Sequence, residues 1–137
     1  MNIKEIAGKL SDLSSEVTEG FDFEQQIIPG EEDVLQITLT DREEIPVYIT
    51  LTDTQMLCIS YLWHENEVKP ESHEAMINAM LEMNIPMPLS SFSKIADRYV
   101  VFGALSLNSS IEDIAHEIVT LSDNAIDSIE VMSDFLK

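Results

Sequence analysis

Three histidines and one cysteine are the residues of this chain best suited to chemistry, and their spacing decides what they can do. His64, His73 and His116 stand far apart in the sequence, with no HExxH pattern and no Cys/His cluster, so neither a zinc site nor a paired base is written into the sequence. A reactive thiol needs a histidine partner and an electropositive setting. Cys58 instead stands between Leu57 and Ile59 in a very acidic chain, which predicts a packed or edge-facing, inert thiol. The hydroxyl-rich runs Ser90-Ser91 and Ser106 to Ser110 lack the GxSxG elbow of a nucleophilic serine, and Gly103 is too isolated to form a phosphate-cradling loop. The acid runs Glu31-Glu32-Asp33 and Asp123, Asp127, Glu130, Asp134 lack the alternating ligands and glycine of a calcium loop. One polar and aromatic cluster is left, Trp63, His64 and Glu65, as the place where an enzyme or a small-ligand or metal sensor would have its site. The expectation is that the chain has no catalytic residues, no cofactor and no metal.

The elements that would position these side chains follow from periodicity. Asn2 with Glu5 fits a capping box, and Ile3, Ile6, Leu10, Leu13 and Val17 form the apolar stripe of a first helix. Phe21 to Ile28 alternates and then loses its pattern at Gln25-Gln26, reading as a short edge strand or a packed loop. Val34 to Thr40, Ile45 to Thr52 and Gln55 to Trp63 alternate with period two and are joined by short polar turns, which predicts an antiparallel meander with one buried face. Pro46 lacks a ladder donor, so its strand is an edge or begins irregularly. Pro70 opens a second helix running to about Met83, striped by Met76, Ile77, Met80 and Met83. Methionine suits a core, and it also suits an adaptable binding groove.

Leu89 to Ala96, a turn at Asp97-Arg98, and Tyr99 to Leu107 form a predicted hairpin that leads directly into a long helix. Ser109 with Glu112, or Ser110 with Asp113, caps that helix, and Ile111, Ile114, Ile118, Leu121, Ala125, Met132 and Phe135 run along it. The order is α-β-β-β-α-β-β-α: one α+β domain over residues 1–137, with an antiparallel sheet of about five strands and helices packed on it.

The charge balance is the outstanding compositional feature. Twenty-six acids against seven Lys plus Arg give −19, a field that repels nucleic-acid phosphates and anionic lipid and attracts basic partners. With 45% hydrophobic residues the chain is nonetheless an ordinary globular one. A single cysteine, a start without an apolar leader pattern and the absence of a long apolar run predict a cytoplasmic protein with no direct membrane insertion.

Pro88-Leu89-Ser90-Ser91, Val101 to Leu107, Ser109 to Ile114 and Asp123-Asn124-Ala125 carry a pattern that resembles the YjfI-like family of small bacterial proteins. The likeness is specific over roughly the last fifty residues and brings no catalytic residues. It implies a setting beside phage-shock-protein-A-like membrane-remodelling proteins, hence membrane stress. The layout, size and acidity are also similar to the type III secretion chaperone fold and its sensory-regulator relatives, acidic dimers that bind segments of other proteins. Together these readings predict a non-enzymatic, acidic protein-binding module, chaperone-like or adaptor-like. It would be a homodimer with a basic or coiled-coil protein partner and would bind no nucleic acid. Its contact residues would be Ile118, Leu121, Ala125, Ile129 and Met132 on the terminal helix.

Overall fold

A computed structural model describes residues 1–137. The elements are α1 (Ile3–Ser11), β1 (Phe23–Ile28), β2 (Val34–Leu39), β3 (Val47–Leu51), β4 (Met56–His64), α2 (His73–Met83), β5 (Ser91–Ile95), β6 (Arg98–Leu105) and α3 (Ile111–Val131). The six strands form one sheet in the order β1-β2-β3-β4-β6-β5, and every pairing is antiparallel. The fold is therefore α+β as expected, with one more strand than the meander and hairpin alone supply.

That extra strand is β1, and its broken alternation has a local cause. Gln25 falls in the phase that faces the helices, and its Nε2 donates to the Ala7 carbonyl at 3.1 Å and to Ser11 Oγ at 3.0 Å on α1. A polar side chain with its donors satisfied takes a place where an apolar one was expected. Pro46 lies just ahead of β3, a central strand, so the irregular start is the form realised. Ser60 Oγ donates to the Pro46 carbonyl at 3.0 Å and closes the gap.

Helix termini follow their caps. Asn2 and Glu5 form the capping box of α1. Ser110 caps α3 by accepting from the Asp113 amide at 3.1 Å, whereas Ser109 turns back to the Ser106 carbonyl at 2.7 Å. Pro70–Ser72 is a tighter 3-10 turn leading into α2, which begins at His73.

All three helices lie on one face of the sheet. Leu35, Ile37, Leu39, Val47, Ile49, Met56, Cys58 and Val101 point towards them and belong, with Ile6, Met76, Ile114 and Leu121, to a single cluster of 24 buried residues. Ile118, Leu121, Ala125 and Met132 are fully buried in that cluster and Ile129 packs against it. This corrects the expectation that these five positions form a free association surface. The sheet is a strand wider than predicted and α1 packs beside α3, so the apolar stripe of α3 is absorbed within the chain's own core.

Candidate functional site

The opposite face of the sheet carries no helix. Strand alternation and register place Tyr48, Ile59 and Phe102 across from one another in one row, with Leu57, Tyr61 and Val100 in the rows beside it. Tyr48 and Tyr61 meet edge to face, with centroids 5.7 Å apart. The Arg98 guanidinium stands 5.0 Å from the Tyr61 ring centre, and its Nε is buried without a hydrogen-bond partner. Apart from Glu24 on the outer strand β1 and Arg98, the residues facing this way include no Asp, Glu, Lys or Arg, in a chain with a net charge of −19.

The sequence of these strands is informative. In β1 and β2 the uncovered phase is polar at Glu24, Gln26, Gln36 and Thr38, with one apolar pair, Ile28 and Val34, at its end. In β4 and β6 both phases are apolar, Met56 to Trp63 and Tyr99 to Leu105 reading as nearly continuous hydrophobic runs. Runs of that kind belong to strands covered on both faces. Here the chain itself covers only one.

The cluster expected at Trp63, His64 and Glu65 does not assemble as written. Trp63 points to the helix side, buried against Tyr99 with ring centroids 5.9 Å apart, and its Nε1 has no partner. His64 turns towards Asp97, its Nδ1 3.9 Å from Oδ2. Glu65 instead gathers three side chains from β5, β6 and α2. It accepts from Tyr99 Oη at 2.5 Å, pairs with Lys94 Nζ at 2.8 Å and lies 2.8 Å from His73 Nε2. The Lys94 and Tyr99 hydrogen bonds hold the Glu65 carboxyl below its usual range. Burial and the neighbouring Glu65 push the Tyr99 hydroxyl well up. An ionised carboxylate and a firmly protonated phenol form a clamp that ties the turn after β4 to the outer hairpin, the reverse of what a tyrosine base requires.

A second group lies in the core. Glu117 on α3 is 3% exposed, its Oε1 has no hydrogen-bond partner, and burial raises its carboxyl pKa against the smaller opposing effect of His116. It sits over Gly103, where a Cβ would fall on Glu117 Oε1 and come 2.9 Å from the Leu89 carbonyl oxygen. Glycine is required there for space. Gly103 pairs in register with Cys58, whose buried thiol is driven far up by desolvation and then by Glu117. Sequence reasoning missed Glu117, although its place between Ile114 and Leu121 on the apolar stripe was the signal. No group of His, Cys, Asp and Glu side chains is arranged to hold a metal.

The chain belongs to a family described as uncharacterized protein conserved in bacteria (DUF2170), whose model matches residues 1–136. It is similar to uncharacterized protein YjfI of Escherichia coli strain K12, at 35% identity over 118 residues that span 82% of this chain and 86% of the relative. The protein of the same description in Escherichia coli O157:H7 matches to the same degree. Among solved structures, an uncharacterized protein from Methanothermobacter thermautotrophicus superimposes with a TM-score of 0.55 over 98% of this chain and 99% of that one. At 13% identity that likeness shows the fold alone.

Proposed function

For this member of the family we propose a non-enzymatic protein-binding module of the cytoplasm, adaptor-like or chaperone-like, that pairs with a second copy of itself through the bare face of the sheet. The observation that carries the reading is the apolar second phase of β4 and β6, laid open as a face almost free of charge. Two chains that each carry −19 repel one another wherever their acids meet, so self-association is favoured where acids are missing. Tyrosine, phenylalanine and arginine on rigid strands are also the residue types that dominate interface energies. Pairing would leave the acidic surfaces outward for a basic partner, in the membrane-stress setting that the family resemblance implies.

Sedimentation at micromolar concentration tests this. The wild type should run at twice its chain mass of 15.4 kDa, and Tyr48→Glu or Ile59→Glu should run as a single chain with unchanged helical circular dichroism. A wild type that stays monomeric at high concentration would remove the reading.

A cleft of about 280 Å³ between α2 and β5, lined by Ile77, Met80, Leu81, Phe92, Lys94 and Tyr99, favours a second reading as a small-ligand sensor. A melting temperature raised by divalent metals, polyamines or nucleotides would favour that reading, because a ligand of the native state stabilises it by mass action.

A further inference from the structure

The loop joining α2 to β5 is pinned by side-chain hydrogen bonds, apolar and turned to solvent, a combination that asks for an explanation. Its ends are fastened by two asparagines. Asn84 Oδ1 accepts from the Phe92 amide at 2.7 Å, and Asn124 Nδ2 on α3 donates to the Pro88 carbonyl at 2.8 Å and to Ser90 Oγ at 3.0 Å. Pro86 and Pro88 stiffen it further, and Leu89 is held at φ +62°, a left-handed conformation costly for a branched side chain. On this fixed frame Ile85 is 88% exposed. Beside it Met83, Met87 and Val131, the last 56% exposed, line a cleft of about 200 Å³, room for one large apolar side chain. The only charged residue lining the cleft is Asp127, with Glu130 exposed on the same helix. Lys94, the nearest base in the sequence, is taken up by Glu65.

Resting on the protein-binding reading, we propose that this cleft is the partner site, and that it takes a basic amphipathic segment of another protein. One apolar side chain would enter between Met83, Met87 and Val131, and Lys or Arg residues flanking it would meet Asp127 and Glu130. A preorganised loop lowers the ordering cost of binding, and methionine walls adapt to the side chain that enters. A second copy of this chain is a poor occupant, because its own acids would meet the same rim.

Fluorescence anisotropy tests the site with a labelled Lys/Leu peptide, about 18 residues long and so about five helical turns. A scrambled peptide of equal composition controls for charge alone. The amphipathic peptide should bind at micromolar concentration and weaken as salt rises. Ile85→Ser with Val131→Ser, both at exposed positions, should weaken it about tenfold, and Asp127→Asn with Glu130→Gln should flatten the salt dependence. Equal binding of the scrambled peptide, or affinity unchanged in the Ile85/Val131 variant, would overturn the proposal. So would loss of binding in Tyr48→Glu, which would move the site to the sheet face. The sedimentation result is independent of all these outcomes, so failure of the cleft and failure of the pairing are separately visible.

Discussion

The two faces of the sheet are made by the same six strands and differ in almost every other respect. The covered face is dry: Leu35, Ile37, Leu39, Val47 and Ile49 have no exposed surface, and three helices close over them. On the bare face Tyr48, Leu57, Ile59, Tyr61 and Phe102 are half-buried and Val100 is buried, and the face turns polar towards both edges, at Gln26 and Gln36 on one side and Ser91 and Ser93 on the other. Alternation accounts for one face of any half-covered sheet. Where both phases are apolar and the chain supplies one cover, the bare phase is the ground for the pairing proposed above.

The contrast can be broken most violently at Gly103, which faces the helices, and its neighbour Ala104, which faces away. Gly103→Val should cost about 3 kcal/mol or leave no folded protein, because the new side chain has to displace Glu117 and the Leu89 backbone. Ala104→Val, made in the Tyr48→Glu background to remove association, should stay within about 0.5 kcal/mol. Urea midpoints for the pair measure this, and equal costs would mean that the second face is packed as tightly as the first.

Glu117→Gln sharpens the account of the covered side. Burial raises the folded carboxyl pKa above its unfolded value, so the folded state binds more protons, and wild-type stability should fall as pH rises through the window between the two. The glutamine variant should lose that part of the slope and gain on the order of 1 kcal/mol at pH 8. Urea denaturation at several pH values gives the answer, and identical slopes in the two proteins would refute it.

The smallest effect concerns salt. Repulsion between −19 chains is screened over about 8 Å at physiological ionic strength. Moderate sodium chloride should therefore tighten self-association a few-fold and raise stability by a few tenths of a kcal/mol. Sedimentation series that loosen with salt would instead assign the contact to ion pairs.

The meander, the outer hairpin and the long terminal helix were legible because period-two and heptad spacings survive in them and the caps are spelled out. β1 was harder to read, since Gln25 satisfies its donors on α1 and so breaks the alternation. The apolar stripe of α3 is not left free, for a geometric reason. A stripe on α3 shows how much apolar area needs covering, but not how wide the sheet beneath it is. With six strands and α1 alongside, nothing of Ile118 or Leu121 is left over. The apolar runs of β4 and β6 are the sequence feature on which the proposed pairing rests. Their second phase has a meaning only once every helix is known to lie on the other side. The Glu65 clamp was equally hidden, because Lys94, Tyr99 and His73 come together through the hairpin and α2 and not through sequence spacing.

Cys58 is wholly buried on the covered face of the sheet, pairs in register with Gly103 and keeps its proton beside a carboxyl group. A thiol-alkylating reagent can reach it once α3 lifts from the sheet. The rate at which the intact protein takes up such a label is thus a natural stopwatch for the undocking of its longest helix.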